Sequence, residues 1–307
     1  MEANGSEATR LEAARSGWGA GPAEQRTLVR VQGTDARDYL HRMSTQDLSR
    51  LAPGETAFTT ILDAKGHLLA DAHVLAGEDG LLLELDPAAA PGALAQLTRF
   101  VIADDVTFED RSAGLRVLPL VGPRAHERAT TLAPGVPVLE SHRRGLPAVD
   151  LVVPAAEAED LRDTFVSAGA ARLEADDLEV LRILGGRPRW GAELDPSRLP
   201  MEAGLTASAI SFDKGCYVGQ EVVLRATARG RLQKGLVLLG LPAGASPGAK
   251  LTAAGQEVGW LTSAAEAPGG RVGLGYLRRA HWREGERLQV DGGEAVVRRV
   301  MVEEPCA

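Results

Sequence analysis

Cys216 sits in the run Lys214-Gly215-Cys216-Tyr217-Val218-Gly219-Gln220-Glu221, a thiol between two glycines just ahead of the helix-like stretch Val222 to Ala228. Glycines let a backbone bend tightly and approach a ligand closely. A cysteine before a helix N-terminus, with Lys214 nearby, would see positive potential favouring the thiolate, the nucleophilic and metal-binding form. The alternative is a thiol that simply packs, since lone cysteines are among the most buried residues. The other cysteine is Cys306, so there is no disulfide framework, and two thiols do not supply the four ligands of a structural zinc or iron–sulfur site. Thiol chemistry is therefore expected at one cysteine, with no resident metal. No Walker loop, H-E-x-x-H or G-x-S-x-G occurs, and Gly17, Gly19 and Gly21 are followed by Pro22 rather than by a dinucleotide-binding turn. The six histidines, His67 and His73 among them, have no ligand-like spacing. Arg225, Arg229, Arg231 and Lys234 form a basic run that reads as a solvated face or as a contact for an anionic tail or RNA.

The run K-G-C-Y-V-G-Q-E, followed by Arg225, resembles the signature of YgfZ-type proteins, folate-binding relatives of the glycine-cleavage aminomethyltransferase. R-I-L-G-G-R-P-R-W-G-A-E (Arg182 to Glu193) and L-P-M-E-A-G-L (Leu199 to Leu205) are similar to the family's G-x-E and P-x-E stretch. V-Q-G-T-D-A-R-D-Y-L (Val31 to Leu40) resembles its opening strand and helix, and L-D-A-K-G-H-L-L-A-D-A-H-V (Leu62 to Val74) its first hairpin. The resemblance implies tetrahydrofolate bound in a central cavity and support of iron–sulfur cluster assembly or repair, and through it of tRNA-modifying enzymes. Iron–sulfur proteins or cluster-assembly factors are the implied partners, with Cys216 as a transient thiolate.

In the same resemblance Glu193 takes the G-x-E position, where one carboxylate would accept from the adjacent amino group and ring N–H of a pterin. Its alternative is a solvated loop acid. Arg225 would meet the carboxylates or benzoyl group of the folate tail, or would pair on the surface with Glu221 four residues earlier. Tyr217 would stack on the ligand or lie in the core, and Lys214 joins the folate-binding set. Aminomethyltransferases carry Asp-Asp in a G-G-x-x-D-D context, whereas this chain reads Gly66-His67-Leu68-Leu69-Ala70-Asp71. Ala70 cannot position an amine or steer protons, so aminomethyl transfer is expected to be lost. Asp71 remains as a folate contact or as a strand residue facing solvent. The alternative function is a folate-dependent aminomethyltransferase or other one-carbon transferase.

These residues need positioning elements. Thr56 to Leu62 and His67 to Leu75 read as a hairpin turning at Asp63-Ala64-Lys65-Gly66, after a strand at Leu28 to Val31 and a helix, capped by Thr34, carrying Tyr39, Leu40 and Met43. Leu81 to Leu85, Leu115 to Val121 and Ala148 to Val153 read as further strands. Pro91 opens a helix with Leu94, Leu97, Val101 and Ile102 on one face; Pro123 to Leu132, Ala155 to Ala168 and a segment lined by Leu178, Leu181 and Leu184 give three more. From Lys234 short strands divided by Gly and Pro indicate a small barrel or sandwich. Without regular βαβ alternation the class is α+β: an aminomethyltransferase-like folate-binding region with mixed sheets and helices, then a small C-terminal β-barrel. We assign residues 1–25 to a loosely ordered lead-in, 26–232 to the folate-binding region with two interleaved subdomains, and 233–307 to the barrel.

At 307 residues with 44% hydrophobic side chains the chain can build ordinary cores. Its 42 acidic and 34 basic residues give a net charge of −8, and aromatics are 4%, which disfavours direct nucleic-acid binding. No run approaches the ~20 apolar residues that cross a bilayer, and Glu2, Glu7 and Glu12 do not suit a presequence, so a cytoplasmic location without membrane partners is expected.

Overall fold

The computed structural model describes residues 6–228 and 232–302; Arg229 and Arg231 of the basic run, and Cys306, lie outside the described residues. Two five-stranded sheets face one another and a closed six-stranded barrel follows, the α+β arrangement expected. The first sheet takes its strands from residues 27–110, in the order Thr56–Leu62, Leu68–Gly77, Gly80–Leu85, Thr27–Gln32, Thr107–Asp110, all antiparallel. Successive strand residues point to opposite faces. Accordingly Ala70, Ala72, Val74 and Ala76 pack with Tyr39, Leu40, Ala93 and Leu97 of helices Ala36–Met43 and Ala90–Arg99. Asp71 and His73 point the other way, opposite Thr60 and Phe58 in the ladder, with Glu84 across from His73.

The second sheet runs Ala171–Arg172, Gly19–Ala20, Leu115–Val121, Ala148–Pro154, Val138–Glu140. Helices Ala125–Leu132 and Ala158–Ser167 cover its outer face through Ala125, Ala129, Ala158 and Phe165. Its inner face meets the first sheet through Leu28, Val117, Leu139 and Val152. The layers are therefore helices, sheet, sheet, helices, with the N-terminal strand stitched into the second sheet.

That strand and the helix before it correct the expected lead-in. Glu7–Ser16 is an α-helix whose Ser6 hydroxyl accepts from the Thr9 N–H, and Leu11 and Ala14 are buried against Leu173, Leu178, Val180 and Leu181. Burying one leucine contributes on the order of 2 kcal/mol, enough to hold a short helix rich in good helix formers. Thr34 does not cap its helix; its N–H and hydroxyl both donate to Asp105. The helix at Pro91 stops at Arg99, leaving Ile102 exposed.

The barrel closes in the order Lys234–Gly240, Val272–Arg278, Gln256–Ala265, Lys250–Ala253, Arg287–Val290, Gly293–Val300. It docks on helix Ala175–Leu184, with Ile183 among Leu236, Leu238, Val272, Leu274 and Tyr276. Among the described residues no helix is long and apolar enough to cross a membrane.

Candidate functional site

The cysteine run is pinned at three points and free at a fourth. The Lys214 ammonium donates to the carbonyls of Ser44 at 2.7 Å, Gln46 at 2.9 Å and His41, the last two turns of chain leaving helix Ala36–Met43. Three N–H donors meet three acceptors, some of them at the negative end of a helix. Burial lowers the Lys214 pKa to about 8. Tyr217 is buried with Phe58, Leu62, Leu68 and Val223. Its hydroxyl has no partner among the described residues, and burial pushes it up to about 12. Gly219 has φ +83°, and a Cβ there would lie 2.8 Å from the Asp63 carbonyl oxygen, so only glycine lets this turn seat against the first hairpin.

Between these anchors Cys216 is a free, exposed thiol, and Phe212 and Leu224 on either side of it in the chain are exposed apolar side chains. The electrostatics differ from the sequence expectation. The helix starts at Gln220, its early N–H groups are taken by the Tyr217 and Gly219 carbonyls, and Lys214 spends its donors on the carbonyls of His41, Ser44 and Gln46. Exposure, rather than a flanking cation, distinguishes this cysteine.

Glu193 is not a solvated acid but is fully buried, and its carboxylate is already saturated. One oxygen accepts from Arg182 Nη1 at 2.9 Å and the Arg189 N–H at 3.1 Å; the other accepts from Thr262 Oγ1 at 2.7 Å and Ser263 Oγ at 2.6 Å. The Tyr276 hydroxyl donates to its carbonyl at 2.9 Å. This residue ties helix Ala175–Leu184 to the barrel. A pterin would have to displace Thr262 or Ser263 to reach it.

Asp71 is buried rather than solvent-facing, and Arg143 Nε donates to it at 2.8 Å. The same guanidinium donates to Glu84, which also takes Arg26. Burial opposes ionisation of Glu84, yet Arg143, Arg26 and His73 hold its carboxyl well below the usual range. His73 Nε2 accepts from the His142 N–H at 3.1 Å, while Nδ1 lies 2.9 Å from Glu84 and 2.7 Å from Arg143 Nη1. Burial, with Arg143, lowers the His73 pKa and keeps the ring neutral. The Phe58 ring packs on both the His73 and His142 rings, at 4.8 and 5.1 Å, and those two rings are 6.1 Å apart. Ala70 points into the helix-covered core, on the face opposite Asp71. Two acids at these positions would diverge, so only Asp71 bears on this cluster.

Arg225 is exposed and donates to Glu221 one turn earlier, the surface pairing. Sequence reasoning missed Arg143, His142 and Glu202. The first two lie in a loop without periodicity. Glu202, in the P-x-E stretch, is buried with its pKa raised by burial, only partly offset by Lys234. Lys234 Nζ lies 4.0 Å from its carboxylate, and the one hydrogen bond to that carboxylate among the described residues is a long 3.3 Å from the Leu199 N–H.

Of the residues expected to hold folate, Glu193, Asp71, Lys214 and Arg225 are committed to partners within the chain, and Tyr217 alone keeps an unused polar group. Among the described residues no group of three His, Cys, Asp or Glu is arranged to hold a metal ion.

Residues 7–141 match the GCVT N-terminal domain family and residues 233–304 the CAF17 C-terminal β-barrel domain. The human iron–sulfur cluster assembly factor IBA57 is 30% identical over 291 residues, 86% of this chain and 78% of that protein. The tRNA-modifying protein YgfZ of Edwardsiella ictaluri is 30% identical over 225 residues, 69% of this chain and 67% of its own length. A chloroplastic Arabidopsis thaliana protein named as a candidate transferase is 27% identical, and the chain spans only 63% of it. The glycine cleavage aminomethyltransferase T of Bartonella henselae superposes with a TM-score of 0.81 over 97% of this chain and 90% of its own at 20% identity, which speaks to the fold. With two domain models in order along the chain and relatives at 30% identity over most of their length, this protein belongs to the aminomethyltransferase-like family that includes YgfZ and IBA57.

Proposed function

We propose that the protein is an accessory factor of iron–sulfur cluster assembly or repair, acting through it on tRNA-modifying enzymes, and that Cys216 is the thiol it offers to a cluster or partner. The observation that carries this reading is the placement of Cys216: exposed, in a segment whose neighbours at 214, 217 and 219 are each held by separate contacts. A rigid turn presents the sulfur without ordering cost when a partner docks. One thiol does not complete a cluster's ligand set, so a partner supplies the rest. The names of the human and Edwardsiella relatives support the same reading.

Tetrahydrofolate belongs to the proposal as a ligand implied by the family, and the domain model at residues 7–141 supports it. Of the side chains expected to hold it, Glu193, Asp71, Lys214 and Arg225 have partners within the chain and the Tyr217 hydroxyl has none among the described residues. Aminomethyl transfer is left out of the reading, since Ala70 faces the core and Asp71 is spent on Arg143. The test mixes purified wild type and Cys216→Ala with an assembly protein carrying a [2Fe–2S] cluster and follows visible circular dichroism. Wild type should perturb the cluster bands and the variant should not; equal spectra would sink the role of Cys216.

A further inference from the structure

A cleft of about 430 Å³ is lined by none of the residues of the cysteine run and, of those discussed with it, only by His142. One wall is the start of helix Ala125–Leu132, through Gly122, Pro123 and His126; the other is the loop Ser141, His142, Gly145 to Val149, with Arg187 beyond the end of helix Ala175–Leu184. The loop is fixed in place. Gly145 has φ +79°, and a Cβ there would lie 2.0 Å from the Leu181 carbonyl oxygen, so the loop and the helix end meet backbone to backbone.

Among the described residues Arg187 lacks the carboxylate partner that the most deeply sequestered arginines have. Arg143 has Asp71 and Glu84, Arg144 has Glu24 and Asp150, Arg162 has Glu159, and Arg182 has Glu179 and Glu193. Arg187 is partly buried, and among the described residues no carboxylate pairs with it. Burial, and then the neighbouring Arg299, lower its pKa, a measure of how poorly its charge is compensated. Ser141 adds a second orphan: it is nine-tenths buried and its hydroxyl has no partner. His142 is pushed down to about 4, first by burial and then by His73, Arg187 and Arg143, so it lines the cleft uncharged. The only acid in the lining is Glu140, exposed and 3.9 Å from His126 Nδ1. An unpaired partly buried guanidinium and an orphan hydroxyl beside a helix N-terminus leave donors and positive charge with nothing to meet.

We propose that this cleft binds the phosphate group of a small molecule, with Arg187 and Ser141 as its side-chain donors and the first turn of helix Ala125–Leu132 as its backbone contribution. The volume falls in the range of about 300–1,000 Å³ used for small-molecule sites, so room remains beyond the phosphate. A guanidinium takes two oxygens of a tetrahedral anion at once; at the helix end the Arg124 and Ala125 N–H groups are taken by the Gly17 and Gly122 carbonyls, while those of His126 and Glu127 have no acceptor among the described residues.

Calorimetric titration with inorganic phosphate at constant ionic strength tests this, in wild type, Arg187→Gln and Ser141→Ala. Wild type should show saturable binding, with Arg187→Gln weaker by about tenfold or more and Ser141→Ala by less. Arg187→Gln should keep or raise the thermal midpoint, because it breaks no ion pair, whereas a structural arginine would lower it. The imidazole signals of His142 should shift with phosphate in the wild-type protein, a readout independent of any variant's folding. Absence of saturable phosphate binding by wild type, or equal binding by Arg187→Gln, would overturn the site. Acetate binding as strong as phosphate would overturn the phosphate assignment in favour of a carboxylate.

Discussion

Replacing Glu193 separates a structural clamp from a ligand-reading acid. In Glu193→Ala, Arg182 keeps Glu179 at 2.6 Å and the Arg187 carbonyl at 2.6 Å, and Thr262 can turn its one hydroxyl proton to the Leu274 carbonyl, 2.9 Å away. The Arg189 N–H and the Ser263 hydroxyl lose their acceptor, and a fully buried side chain leaves a cavity. Breaking a buried pair costs about 3–5 kcal/mol, and because Arg182 retains one carboxylate the loss should sit near the lower end, about 3 kcal/mol. Glu193→Gln keeps the shape and one oxygen, and the hydroxyls of Thr262 and Ser263 can rotate to accept from the new amide, so about 1–2 kcal/mol is expected. Urea unfolding read by far-ultraviolet circular dichroism, together with fluorescence of the barrel's Trp260 and Trp282 in a Trp18→Phe, Trp190→Phe background, measures both. Because the clamp joins helix Ala175–Leu184 to the barrel, the two signals should also separate in Glu193→Ala. A variant within about 1 kcal/mol of wild type and still unfolding in one step would refute the clamp and return Glu193 to the ligand site.

Three further outcomes follow from the geometry. Lys214 is lowered to about 8 in the folded state against an ordinary 10.5, so between those values the unfolded chain holds a proton the folded one has released. Stability contributed there rises with pH through that window and is lost as pH falls through about 8; wild type should gain up to roughly 1.4 kcal/mol per pH unit over Lys214→Met in urea unfolding. Gly219→Ala forces φ +83° on a residue with a Cβ and crowds the Asp63 carbonyl, so it should destabilise by about 1–3 kcal/mol, the two terms together, and loosen the turn around Cys216, seen as faster proteolysis there. Cys216 should react with a maleimide in the native protein at nearly the rate of the urea-unfolded chain, measured in a Cys306→Ser background; slow native labelling would contradict its exposure.

Much of the architecture was legible because it rests on local chemistry. The hairpin at Asp63 to Gly66 follows from turn residues between two β-rich runs, and the barrel from short strands cut by glycine and proline. The helix Glu7–Ser16 was not, since it buries only Leu11 and Ala14 and shows no apolar stripe. The strands Gly19–Ala20 and Ala171–Arg172 are two residues long and exist only as partners of each other and of Leu115–Val121. Lys214 and Glu193 were legible as unusual residues, but their partners, Ser44 and Gln46 for one, Thr262 and Ser263 for the other, come from distant chain. Strand alternation alone put Ala70 and Asp71 on opposite faces, a signal present in the sequence. Arg143 and Arg187 sit outside regular elements, where no period marks them.

The most direct test of the Cys216 account replaces the cell's own copy of this protein with Cys216→Ala and measures the activity of cluster-dependent tRNA-modifying enzymes. Loss of that activity at wild-type protein levels is the predicted result, and activity equal to wild type would contradict it.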